Sequence, residues 1–84
     1  MKKVHTVGWC YFCNQGWLIL AKEIKTSNLY VCCKECETQW ENPHRIGPND
    51  CLSFEKYGVY ELPTEEEIIN KGWSEFLKNY YEKK

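Results

Sequence analysis

A small α+β domain is predicted, with antiparallel hairpins that end in cysteine knuckles and a helix or helix pair that closes the chain. Three observations lead there. Two Cys-x-x-Cys pairs, Cys10/Cys13 and Cys33/Cys36, stand nineteen residues apart. Between them, Trp17 to Thr26 and Leu29 to Cys32 are rich in β-branched and aromatic residues, around the turn cluster Thr26-Ser27-Asn28. Farther on, Pro63-Thr64-Glu65-Glu66-Glu67 opens an apolar stripe of helical period.

Size and composition narrow the field. The 84 residues form one small domain, with 43% hydrophobic and 15% aromatic residues, too apolar for a disordered chain. A core this small is usually stapled by a metal or by disulfides. The length disfavours multidomain organisation and argues against a large catalytic fold such as a barrel or a doubly wound sheet. The longest apolar run, Trp17-Leu18-Ile19-Leu20-Ala21, is far below the roughly 20 residues of a membrane span. Met1-Lys2-Lys3 could open a signal peptide, but His5, Thr6 and Gly8 interrupt any apolar stretch behind it. The chain is therefore read as cytoplasmic, where paired cysteines bind metal more often than they form disulfides.

The knuckle spacing is that of a zinc site. A two-residue gap lets a tight turn aim two thiolates at one point, and two such turns complete a tetrahedron with Zn–S bonds of about 2.3 Å. Four protein ligands leave no position for water or substrate, so one structural Zn²⁺ is expected. A disulfide framework would need export. A redox pair would open a helix, whereas Cys13 runs into the turn Asn14-Gln15-Gly16. An iron–sulfur site uses the same ligands. Either Cys32 or Cys33 can be the third ligand. Cys33 keeps the two-residue gap to Cys36, and alternation along Leu29-Tyr30-Val31-Cys32 makes Cys32 a strand residue. Cys51 reads as a small buried residue. His5 and His44 fall outside the spacing and read as surface or hydrogen-bonded histidines.

Along the chain, Val4 to Trp9 is a strand entering the first knuckle, and Gly16 supplies a positive φ after Cys13. Thr38 to Glu41 continues as a strand, with Trp40 over one side of the metal. Asn42 to Asp50 is a loop, and Ser53 to Leu62 a short strand or irregular segment. Thr64 caps a helix and Glu67 completes the capping box. Ile69, Trp73, Phe76, Leu77 and Tyr80 form the stripe, and Gly72 is either tolerated within one helix or ends a first one near Lys71. The expected layout is a single domain over 1–84: a cysteine-knuckle ribbon over 1–41, a loop and short strand over 42–62, and a helical tail over 63–84.

Trp9-Cys10-Tyr11-Phe12-Cys13-Asn14-Gln15-Gly16, a hairpin, then Tyr30-Val31-Cys32-Cys33-Lys34-Glu35-Cys36-Glu37-Thr38-Gln39-Trp40 resembles small bacterial zinc-ribbon proteins, whose second knuckle is commonly followed by an acid and then a tryptophan. The tail from Pro63 to Leu77 is more weakly similar to their helical ends. The likeness covers residues 9–41 and 63–77. The chain departs from the common pattern in lacking a proline in the first knuckle and in doubling Cys32-Cys33. Some proteins of this kind sit in toxin–immunity loci, including those of contact-dependent growth inhibition. There a small protein binds and neutralises one toxin domain. The resemblance thus implies a zinc ribbon acting as an immunity-type inhibitor, with a toxin domain, such as a nuclease, as partner.

No catalytic constellation accompanies the cysteines, so a non-enzymatic binding protein is expected. Residues 43–84 hold eight acids against six bases, a balance of −2. An acidic face can cover the basic cleft of a nuclease and speed association. Its candidate residues are Asp50, Glu55, Glu61, Glu65 and Glu66, although acids at 65–67 also serve the helix start. The alternative is a nucleic-acid or transcription-accessory ribbon, with Trp9, Trp17, Tyr30 and Trp40 stacking bases and Lys22, Lys25 and Lys34 as a basic patch. Bases do not outnumber acids in the chain (11 against 12), which disfavours phosphate binding.

Overall fold

The computed structural model describes residues 2–10, 12–36, 38–47, 51–52 and 59–83. Among them, seven strands form one sheet in the order β5-β4-β3-β2-β1-β7, with β6 added on β2. The strands are β1 (Lys2–Trp9), β2 (Trp17–Glu23), β3 (Leu29–Cys33), β4 (Gln39–Trp40), β5 (Cys51–Leu52), β6 (Tyr60–Glu61) and β7 (Tyr80–Lys83). Helix α1 (Glu65–Asn70) and a short 3₁₀ turn (Ser74–Phe76) lie between β6 and β7.

The β2–β3 hairpin is the centre. Leu18 faces Cys33 and Lys22 faces Leu29 across an antiparallel register. Its turn is held by Ser27, which adopts φ +64°, and by the Ser27 amide donating to the Glu23 carbonyl at 2.8 Å. Period-two alternation then sorts the side chains. Leu18, Leu20, Leu29, Val31 and Cys33 join Cys10, Trp40, Ile68 and Trp73 in one buried cluster. Ile19, Ala21, Tyr30 and Cys32 join Val4 in the other. Both faces of the hairpin are covered, which is why β3 reads as five consecutive buried residues.

β1 serves two partners. Lys2 to His5 pair with β7, and Thr6 to Trp9 pair with β2, with a register irregularity between Thr6 and Gly8.

The expected helical tail is corrected. Only six residues form α1. The capping box is present: the Glu67 amide donates to Thr64 Oγ1 at 3.2 Å and the Thr64 amide to the Glu67 carboxylate at 2.9 Å. At the other end Gly72 takes φ +88°. Its amide donates to the Ile69 carbonyl at 2.9 Å, and the Trp73 amide donates to that of Ile68 at 3.0 Å. This left-handed cap satisfies the last carbonyls and stops the helix, as the second reading of Gly72 anticipated. The stripe shifts accordingly. Ile68 and Trp73 are buried, Phe76 and Leu77 pack against them, and Ile69 and Tyr80 are exposed. Tyr80–Lys83 is a strand because β1 offers it an open row of backbone partners.

Candidate metal centre

Each knuckle is a closed loop at one end of the hairpin. In the first, the Cys10 amide donates to the Gly16 carbonyl (2.9 Å) and the Asn14 amide to the Cys10 carbonyl (3.0 Å). Asn14, not Gly16, takes the positive φ there, at +53°. Its side-chain oxygen accepts from Trp9 Nε1 at 2.8 Å. In the second, the Cys33 amide donates to the Thr38 carbonyl at 2.9 Å. Gly16 is required for a different reason: a Cβ there would stand 2.6 Å from Glu35 Cγ and 3.3 Å from the Glu35 amide nitrogen. The two knuckles touch at this point, and any side chain there would have to push Glu35 aside.

That closure gathers four thiols. The Sγ atoms of Cys10, Cys13, Cys33 and Cys36 all lie within 4.8 Å of one another. Cys10 Sγ is 3.7 Å from Cys36 Sγ, and Cys13 Sγ is 3.6 Å from Cys33 Sγ. A disulfide needs about 2.05 Å. A tetrahedral metal with sulfur bonds of about 2.3 Å sets its ligands about 3.8 Å apart. The observed spacing fits the tetrahedron, so the four residues can hold one metal ion. Cys10 and Cys33 are buried to 0% and 1% exposure, while Cys13 and Cys36 are half-buried. Cys32 lies on the opposite face of β3 with Val4 and Ile19, and it is Cys33 that joins the four. The side chain of Cys51 lies outside the described residues.

The surroundings of the sulfurs are built for thiolates. The Glu35 and Cys36 amides each stand 3.4 Å from Cys33 Sγ, and Thr38 Oγ1 is 3.1 Å from Cys36 Sγ. For the metal-free thiols, burial pushes Cys33 up to about 12 despite those amides. Burial also raises Cys36, but the Thr38 hydroxyl and amide and the neighbouring thiols outweigh it and bring Cys36 down to about 7. The opposite directions belong to one interacting pair, in which the thiolate is favoured at Cys36 and the proton at Cys33. A divalent metal reverses this by displacing all four protons.

Trp40 is fully buried in the same cluster as Cys10 and Cys33, with Nε1 donating to the Gly47 carbonyl at 3.1 Å. Phe12, from the first knuckle, stacks on it at 5.8 Å between ring centroids. Sequence reasoning missed Phe12 and Thr38. A polar residue two positions after the last cysteine is the signal that Thr38 offered.

Neither histidine reaches the site. His5, expected at the surface or in a hydrogen bond, is 2% exposed; burial lowers its pKa against backbone hydrogen bonds to Phe76 and Leu77, and its Nδ1 has no hydrogen-bond partner among the described residues. His44 Nε2 meets the Glu75 carboxylate at 2.5 Å, and its Nδ1 stands 3.1 Å from the Asn42 amide oxygen.

The candidate acidic face is largely neutralised where it is described. Glu61 lies 3.6 Å from Lys22, and Glu65 accepts from Lys3 at 3.2 Å. Glu66 is exposed in the first turn of α1. Asp50 and Glu55 lie outside the described residues. Lys22 also pairs with Glu67, holding that carboxyl below its ordinary range and raising the lysine in return. Of the base-stacking candidates, Tyr30 and Trp40 are buried and therefore excluded, whereas Trp9 and Trp17 are each 46% exposed and meet edge to face at 5.1 Å. Among the described residues, no helix is long and apolar enough to cross a membrane.

No protein-family model, curated protein or solved structure matches the chain.

Proposed function

We propose that the chain is a zinc-stapled, non-catalytic binding module of the immunity type, which holds and neutralises a toxin domain. The observation that carries the structural role of the metal is the four-thiolate site itself. Its ligands leave no open position for substrate. Zinc is the metal favoured by four thiolates in a closed tetrahedron. The binding role is supported by Trp9, Phe12 and Trp17, which remain about half exposed around the first knuckle. Tryptophan is among the residues that most often anchor a protein partner, and Trp9 and Trp17 stand at the ends of paired strands.

The test begins with the zinc content of the purified chain, then a pull-down from the native host. One zinc per chain and one stoichiometric partner are expected. That partner should be toxic when expressed alone and harmless when co-expressed with this chain. A partner whose toxicity co-expression leaves intact overturns the immunity reading.

A second reading, a nucleic-acid-binding ribbon, is favoured by one observation. A depression of about 400 Å³ is lined by Thr6, Trp17, Lys78, Asn79, Tyr80 and Tyr81, with no acid among them. Aromatic faces beside a lysine suit an unpaired base and its phosphate. Salt-dependent retention on single-stranded nucleic acid, lost in Trp17→Ala, would move this reading to first place.

A further inference from the structure

The two half-buried ligands, Cys13 and Cys36, differ in their neighbours. Cys10 and Cys33 are sealed in the core, so a reagent in solution meets the centre through the other two. Thr38 is 7% exposed and its hydroxyl stands 3.1 Å from Cys36 Sγ. Once that sulfur is a metal-bound thiolate it has no proton, so the bond runs one way, from the threonine O–H to sulfur. Among the described residues, the hydrogen-bonding contact of Cys13 Sγ is with another sulfur, that of Cys33 at 3.6 Å, with no N–H or O–H donor.

Four thiolates on a divalent ion leave a net charge of about −2 on the cluster, and that charge stays on sulfur. A donor hydrogen bond withdraws electron density from the sulfur it reaches and makes it a poorer nucleophile. We infer that Cys13 is the modification site of the metal centre, the thiolate at which alkylating electrophiles attack first, and that Thr38 protects Cys36 from the same fate. This rests on the reading that the four cysteines hold a metal. The chemistry balances without a redox partner. The Cys13 sulfur lone pair attacks the alkene carbon of a maleimide and the C–S bond forms. The metal–sulfur bond breaks, and the carbanion takes a proton from water. With three thiolates remaining, the ion is open to water and to chelators.

The experiment uses the zinc-loaded full chain and limiting N-ethylmaleimide. Adducts are located by mass spectrometry, and released zinc is followed with a chromogenic chelator. Among the four ligands, Cys13 should carry the first adduct, at several times the rate of any other, and zinc release should keep pace with it. Thr38→Val should raise the rate at Cys36 several-fold, and Thr38→Ser should restore protection. A loaded protein labelled first at Cys10, Cys33 or Cys36 overturns the proposal and leaves the metal reading intact. An unchanged Cys36 rate in a loaded Thr38→Val protein overturns the role of the hydroxyl. A purified chain that takes up no metal overturns both readings. Should Thr38→Val fail to hold zinc, the order of labelling in the unaltered protein decides.

Discussion

The ribbon half of the molecule and the segment after β6 reach order by different routes. In the ribbon, residues close in sequence make the knuckle loops, and four thiols tie the loops together. The later segment has no such tie. Its helix has six residues, too few to stand alone in water. It is held by Ile68 and Trp73, which enter the buried cluster that contains Cys10 and Cys33, and by the pairing of β7 with β1. Dependence therefore runs one way. The tail leans on a surface that the knuckles shape, whereas the contact that closes the knuckles, Gly16 against Glu35, involves no residue of the tail.

Breaking the ribbon should have the largest effect. Chelation of the metal, or Cys10→Ser, should abolish cooperative unfolding of the whole chain, since metal binding and folding are coupled in small domains of this kind. Circular dichroism with and without a strong chelator checks this. Next, Trp73→Ala should cost about 3–5 kcal/mol, the usual loss for emptying a large buried aromatic site. It should loosen the tail while the metal content stays at one per chain, and hydrogen exchange of the β7 amides would show it. Full loss of metal in that variant would contradict the one-way dependence.

Gly16→Ala sharpens the comparison from the other side. The added methyl meets Glu35, and overpacking of this kind costs about 1–3 kcal/mol. Metal affinity should fall with stability, measured by competition with a coloured chelator. Thr64→Ala removes one cap of α1 and should cost about 1 kcal/mol in denaturant midpoint, with metal affinity unchanged.

The smallest effect at neutral pH belongs to His5. Burial lowers its pKa in the folded chain, so the unfolded chain takes up a proton first as pH falls through about 6.5. Stability present above that pH should decline below it. Referencing the denaturant midpoint to His5→Gln at pH 7.5 and 5.5 separates this from protonation of the cysteines. The unaltered protein should lose more than the variant.

Much of the ribbon was legible because its signals are local. The Cys-x-x-Cys spacing and the alternation that puts Cys32 and Cys33 on opposite faces each depend on neighbours within a few residues, as does the one feature of the tail that was plain, the capping box at Thr64. The tail was less legible because its outcome depends on a distant partner. Tyr80 extends a helical stripe by position, but a row of unpaired backbone groups on β1 turns it into a strand. The burial of Ile68 in place of Ile69 follows from which side of a short helix meets the buried cluster, which periodicity alone does not give. Gly16 shows the same limit. Its place next to a knuckle was plain, but the reason for it, the approach of Glu35 from the other knuckle, belongs to tertiary structure.

The register that sets Lys2 against Lys83 has a consequence for the order of folding. These paired residues are 81 positions apart, so their contact closes a long loop, and such closures are entropically dear and slow. The hairpin and the knuckles can assemble from a stretch of about thirty residues, but the outer edge of β1 must wait for the last strand. During synthesis that edge stays unpaired until β7 has been made. Lys3 places charge on the waiting strand, a feature that discourages another chain from pairing there first.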